Sequence, residues 1–151
     1  MKKTSLFISK QKLINSVSTA IGLLYIIRKY LINDQDISLS CLDYIKNHTN
    51  TCNVLYILQH LNIFCNPKGK KLDRNAQQCS SDFSYTVQFV TTVTLIIENC
   101  FKVVDRNATH ILSSDTFEDV SLALVKQIIS RDNLNIENEC EVYKALDRYS
   151  K

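Results

Sequence analysis

Glycine and proline are nearly absent from this chain, two and one in 151 residues. So few turn formers exclude a turn-dense β sandwich, and two glycines leave no Gly-rich phosphate loop. Charge of one sign is also lacking. Lys and Arg number 18 against 15 Asp and Glu, far from the basic stripe of a nucleic-acid binder. No C-x-x-C, H-x-x-x-H or H-E-x-x-H pattern occurs, so no metal site is expected. Neither apolar run near the N-terminus reads as a signal peptide or a membrane span. Lys10 and Lys12 interrupt the N-terminal one, and Asn15, Arg28 and Lys29 make Leu13 to Ile32 too polar to span a bilayer. A soluble, cytoplasmic chain with no membrane or nucleic-acid partner is the expectation.

What the chain does have is 45% hydrophobic and 22% charged residues, enough apolar side chain for a core. The length suits one domain, or one domain plus a fragment of another. Six cysteines, at 41, 52, 65, 79, 100 and 140, sit largely in helix-like apolar runs. They read as free thiols in a reducing compartment and not as three disulfides. Asn47-His48-Thr49 and Asn107-Ala108-Thr109 match the glycosylation pattern, which is inert in a cytosolic chain.

Apolar residues recur at spacings of three and four over Leu13, Val17, Ala20, Ile21, Leu24, Ile27 and Leu31, which predicts a helix. Asn33-Asp34-Gln35-Asp36 breaks it, and Leu39, Leu42 and Ile45 open a second. A third starts near Asn53, with Val54, Leu58 and Leu61 on one face, and ends by Asn66-Pro67. Phe83 to Val90 alternates aromatic and β-branched residues and reads as a strand, and the uncharged run Val87 to Ile97 is an aggregation liability if exposed. From Ile97 the helical period returns in Phe101, Val104, Ala108, Ile111 and Leu112. Ser113-Ser114-Asp115 turns the chain, and Phe117 is a buried anchor. Ser121 can cap a helix carrying Leu124, Val125, Ile128 and Ile129. Asn138 and Glu141 resemble a capping box for a last helix that buries Val142, Leu146 and Tyr149. The fold expected is all-α, an array of antiparallel helix pairs with a mid-chain β-prone or disordered insertion.

No constellation here carries chemistry. His48, His60 and His110 stand in separate elements, and nothing around Cys52 resembles a catalytic cysteine segment, so a Cys52–His60 pair has little support. Glu137, Glu139 and Glu141 read as first-turn acids favoured by a helix dipole. Lys68, Lys70, Lys71 and Arg74 lack interleaved aromatics and read as a solvated loop. No enzyme, cofactor or metal is expected.

The C-terminal third resembles a BACK domain, the module that follows BTB/POZ domains in ubiquitin-ligase adaptors. The resemblance rests on Cys100-Phe101-Lys102-Val103-Val104-Asp105, on Ile111-Leu112-Ser113-Ser114-Asp115-Thr116-Phe117, and on Asp119-Val120-Ser121. It continues in Ser130-Arg131-Asp132-Asn133-Leu134 and in Glu139, Val142, Tyr143, Ala145 and Leu146. Leu23 to Leu31 and Cys41-Leu42-Asp43-Tyr44-Ile45 resemble the last two helices of a BTB domain. Asn53 to Leu58 resembles the helix pair that links BTB to BACK. The subgroup that looks nearest is the one ending in a PHR domain.

This resemblance implies an N-terminal extension over 1–16, partial BTB helices over 17–50, a linking helix over 51–67, an insertion over 68–96 and a BACK domain over 97–151. Family members pass almost directly from the equivalent of Pro67 to that of Ile97, whereas 29 residues intervene here. That segment is either a lineage-specific insertion or a retained intron. The front of the BTB domain and a following PHR or kelch domain are expected to be absent, and Tyr149 stands where the family has tryptophan. By resemblance the chain is a non-catalytic adaptor piece whose partners are cullin-3 or a full-length BTB protein, plus an unidentified substrate protein. Tyr30, Asn53, Tyr56, Ile57 and His60 are the candidate contact residues, with Ile57 equally readable as core. Phe101, Phe117, Ile128, Leu146 and Tyr149 are the expected packing residues. The alternatives are an incomplete fragment that competes with full-length adaptors and a generic α-helical scaffold.

Overall fold

The computed structural model describes residues 13–30, 32, 34–65 and 80–150. Among them every regular element is helical. The elements are α1 (Val17–Lys29), α2 (Gln35–Asn47), α3 (Val54–Cys65), α4 (Ser80–Arg106), α5 (Ala108–Leu112), a 3₁₀ turn (Asp115–Phe117), α6 (Leu122–Ile129) and α7 (Cys140–Tyr149). They form two compact units. Among the described residues, the first takes those up to 48 and those from 61 to 96, the second 49–60 and those from 97 on, so the boundaries at 60/61 and 96/97 fall inside helices α3 and α4.

In the first unit, α1 packs on α2. Helix α1 begins where Ser16 Oγ accepts the Thr19 N–H at 3.1 Å. It ends with Arg28 and Lys29, whose charge suits a helix C-terminus. Its inward stripe is Ala20, Ile21 and Leu24. The preceding apolar contact is made by buried Ile14, while Leu13, expected in the stripe, is exposed. Asp34 Oδ1 accepts the Ile37 N–H at 3.1 Å to start α2, which buries Ser38, Cys41, Leu42 and Ile45 at helical spacing. Ser38 donates its hydroxyl to Asp34 O at 3.0 Å, so its burial leaves no unpaired oxygen. The unit also contains Leu61 and Phe64 of α3 and Val93 and Ile96 of α4, all buried. The Phe64 and Phe89 rings meet edge-on at 6.1 Å, and Arg28 Nη1 donates to Phe64 O at 3.3 Å.

The strand reading of Phe83 to Val90 is overturned, because α4 runs unbroken from Ser80 through 27 residues. Tertiary burial overrides local β propensity here. Phe89, Val93, Ile96, Ile97 and Cys100 recur at helical spacing and are at least half-buried. The threonines adapt by returning their hydroxyls to the helix backbone. Thr92 Oγ1 donates to Gln88 O at 2.8 Å and Thr94 Oγ1 to Val90 O at 2.9 Å. The basic residues Lys68, Lys70, Lys71 and Arg74, and the Asn66-Pro67 stop, lie outside the described residues.

The second unit has a core of its own. Val54, Ile57 and Leu58 of α3 are fully buried, as are Cys100 and Val104 of α4, Phe117, and Val125 and Ile128 of α6. Two asparagines start α3 reciprocally. Asn50 Oδ1 accepts the N–H groups of Cys52 and Asn53 at 2.9 and 3.1 Å, while Asn53 Oδ1 accepts the Asn50 N–H at 2.8 Å. Ser121 caps α6 as expected, accepting from Leu124 N–H at 3.4 Å. The capping box at α7 does not form. Glu139 occupies the N-cap without a side-chain bond, and Glu141 Oε2 accepts the Thr109 hydroxyl at 2.7 Å instead. In α7 only Ala145 is buried; Val142, Leu146 and Tyr149, expected inside, are half-buried.

Candidate protein-interaction surface

Two polar clasps hold the second unit in shape. Arg131, just past α6, grips Asp105 near the end of α4 with both arms of its guanidinium, Nε to Oδ1 at 2.6 Å and Nη2 to Oδ2 at 2.7 Å. The same guanidinium lies 4.6 Å from the Phe101 ring centroid, and its hydrogen bonding to the Asp105 carboxylate holds the Arg131 pKa above its ordinary value. Asn135 N–H then donates to Asp105 O at 2.8 Å, which ties the loop after α6 to α4. In the second clasp, Arg148 of α7 donates to Ser113 O at 3.1 Å and to Leu112 O, closing the C-terminal carbonyls of α5. Tyr149 adds an O–H bond to Val120 O at 3.0 Å and an edge-on contact with Phe117 at 6.3 Å. Half-buried Tyr149 therefore keeps its hydroxyl satisfied. Sequence reading did not find these pairs, which join residues 26 to 36 positions apart and leave no periodic trace.

The candidate contact residues divide clearly. Ile57 is fully buried, so it is a core residue and leaves the contact set. Tyr56 is 40% exposed and His60 half-buried, and their rings lie 4.3 Å apart on one side of α3. Gln59, between them in sequence, accepts the Ser121 N–H at 3.2 Å and so anchors that helix against the start of α6. Asn53 is engaged in the reciprocal cap described above. Tyr30 is 65% exposed at the end of α1. It does not stand alone, because Tyr25 and Ile26 are also exposed, and Gly22, Tyr25, Ile26, Lys29 and Tyr30 make a second stripe opposite the buried one. Of the expected packing residues, Phe117 and Ile128 are fully buried, and Phe101, Leu146 and Tyr149 half-buried.

Cys52 is exposed in the turn before α3, and the His60 ring lies against Tyr56, tilted 52° from it. Buried Cys41 and Cys100 have their thiols pushed up to about 11 by burial, the reverse of an activated nucleophile; a Thr49 hydrogen bond offsets part of the effect at Cys100. Among the described residues no group of three or more His, Cys, Asp or Glu could hold a metal ion. A shallow cleft of about 440 Å³ between α5 and α7 is lined by residues already engaged with one another, including Thr109, Glu141 and Arg148. Tyr85–Arg106 within α4 is long and apolar enough, by length and composition, to cross a membrane. Its lower half, however, places Cys100 and Val104 fully inside the protein's own core.

Residues 85–151 match the family BACK, BTB And C-terminal Kelch. This stretch has a BACK-domain fold, and it contains both clasps. The match takes in residues 85–96 and does not reach the segment 17–67 that resembles a BTB tail. No curated protein and no solved structure matches the chain. A BACK-domain protein–protein interaction module occupies residues 85–151.

Proposed function

We propose that the chain serves as an adaptor piece of the BTB–BACK type, engaging the N-terminal domain of cullin-3, or a full-length BTB protein, through the outer sides of α1 and α3. The observation that carries this reading is the pairing of Tyr56 and His60 on the outward side of α3, while Val54, Ile57, Leu58 and Leu61 fill the opposite side. Aromatic anchors on a helix fixed by its own core are the usual centre of such contacts. Tyr30 and Tyr25 supply the same chemistry on α1. The BACK helices act as a spacer, and the cytoplasm is the compartment in which such an adaptor would work.

Calorimetric titration of the purified chain with the N-terminal domain of cullin-3 tests this directly. Binding is expected, weakened at least about tenfold by Tyr56→Ala or Tyr30→Ala. A well-folded chain that shows no binding, or binding indifferent to both substitutions, would remove the cullin-3 assignment.

A further inference from the structure

Between the last turns of α4 and the loop after α6 lies a cleft of about 570 Å³ that the adaptor reading leaves unused. Lys102, Asp105, Arg106, Asn133 and Asn135 line it, and all but Asp105 are exposed. Asp105 is the one carboxylate among these five, and each of its oxygens accepts from Arg131. The negative end of α4 is quenched as well. Asn107 donates its side-chain amide to Val103 O at 2.8 Å and its N–H to Val104 O at 3.2 Å. Asn135 donates its N–H to Asp105 O at 2.8 Å and its side-chain amide to Arg106 O at 3.4 Å. What remains facing the cleft is positive. Lys102 and Arg106, one helical turn apart, have side chains without an ion pair or hydrogen bond among the described residues. Glu98, a turn before Lys102, does not pair with it, and the Asn133 carboxamide is likewise uncommitted.

We propose that this cleft recognises a phosphorylated segment of a partner polypeptide, with one phosphoserine or phosphothreonine ester seated between Lys102 and Arg106. Charge selects the group. Two unpaired cations balance the charge of about −1.5 to −2 that a phosphoester carries at neutral pH, whereas a single carboxylate satisfies only one of them. Donor geometry agrees. Arg106 presents a planar fork, Lys102 a point charge and Asn133 a carboxamide N–H pair, together enough for three phosphate oxygens. Size and lining select the carrier. The cleft has the volume of a site for a drug-sized ligand, so residues flanking the ester fit beside it. No aromatic or aliphatic residue lines it, which leaves a nucleotide's base without a stacking surface. Two cations are also too few for the run of phosphates in a nucleic acid. This inference does not rest on cullin-3 binding, which is assigned to α1 and α3, and either can fail alone.

The test is an amide NMR titration of the full chain with a short polyalanine peptide carrying one central phosphoserine. Saturable shifts are expected at Lys102, Arg106, Asn133 and Asn135, with a Kd of about 0.1–1 mM. Lys102→Gln and Arg106→Gln should each weaken binding at least about fivefold, and Lys126→Gln, at an exposed position on α6, should leave it unchanged. Asn133→Asp, which sets a carboxylate in the cleft, should abolish it. Circular dichroism should show all four variants folded, because none of these side chains is buried. The absence of saturable shifts up to about 10 mM peptide overturns the proposal, as do shifts indifferent to both Lys102→Gln and Arg106→Gln. Equal affinity for inorganic phosphate would assign the cleft to a free anion. Equal affinity for the same peptide with a central glutamate would remove the match to a doubly charged group. Tighter binding of a single-stranded oligonucleotide would assign the cleft to nucleic acid, and each of these three results overturns the proposal as well.

Discussion

Arg131→Ala should destabilise the BACK region more than any other single change to a polar residue. Arg131 donates two short hydrogen bonds to Asp105, whose whole residue is 9% exposed. Removing one partner of a fully buried ion pair costs about 3–5 kcal/mol, mostly for the charge left behind. Here the Arg131 and Asp105 side chains are 28% and 12% exposed, so water reaches part of the orphaned carboxylate. A cost of about 2–3 kcal/mol follows. Asp105→Asn leaves the better-exposed guanidinium as the orphan, still resting on Phe101, and should cost only about 1 kcal/mol. The order of the two costs is therefore set by which partner is deeper. Combining Asp105→Asn with Arg131→Met should cost less than the separate losses together, by about 1–2 kcal/mol. Because the clasp lies within one of two compact units, amide exchange is the suitable assay, with the Asn135 N–H that donates to Asp105 O as a local reporter. A loss below about 0.5 kcal/mol for Arg131→Ala, or a larger loss for Asp105→Asn, would refute this account of the clasp.

Four further outcomes are expected. Ile57→Ala should cost about 3 kcal/mol in urea denaturation, whereas Tyr56→Ala one position away should stay within about 1 kcal/mol; equal losses would mean that α3 is rotated from its described orientation. Iodoacetamide should label Cys52 and Cys140 in the folded chain and spare buried Cys41 and Cys100, as read by mass spectrometry. The unfolded chain releases the latter two thiol protons near the ordinary value of 9.0 while the folded chain holds them to about 11. Their contribution to stability is thus intact below pH 9 and falls as pH rises from 9 to 11, a slope that Cys41→Ala with Cys100→Ala should reduce. Tyr149→Phe, which removes only the hydroxyl bonded to Val120 O, should lower the melting stability by about 1 kcal/mol, and a neutral result would show that this bond is exchanged freely with water.

The parts of the fold written in short-range periodicity were legible. Ala20, Ile21 and Leu24 on α1, Leu42 and Ile45 on α2, and Val54, Leu58 and Leu61 on α3 are spaced as helices require and are buried. So was the Ser121 cap, whose signal lies within three residues. Phe83 to Val90 misled because β-branched and aromatic residues suit a strand locally, while burial of Val93 and Ile96 decides the matter from a distance. At Asn138 the local capping signal was present, but Glu141 found a better donor in Thr109, 32 positions away. On the contact surface, Ile57 and Tyr56 are adjacent and both apolar, and only the rotation of α3 about its axis separates core from surface. The outward stripe of Tyr25, Ile26 and Tyr30 could have been read from the same spacing rule, since α1 obeys it on two sides.

The second unit is discontinuous in sequence: its α3 portion, 49–60, is secured to the start of α6 by a bond between Gln59 and Ser121, 62 positions apart. Such a bond must be closed over whatever chain intervenes, and closure entropy grows only logarithmically with length. Doubling that separation would cost only about 0.6 kcal/mol, less than losing one ordinary hydrogen bond. Over evolutionary time the Gln59–Ser121 bond therefore puts little constraint on the length of the chain between its two ends, which can drift with little selection against it.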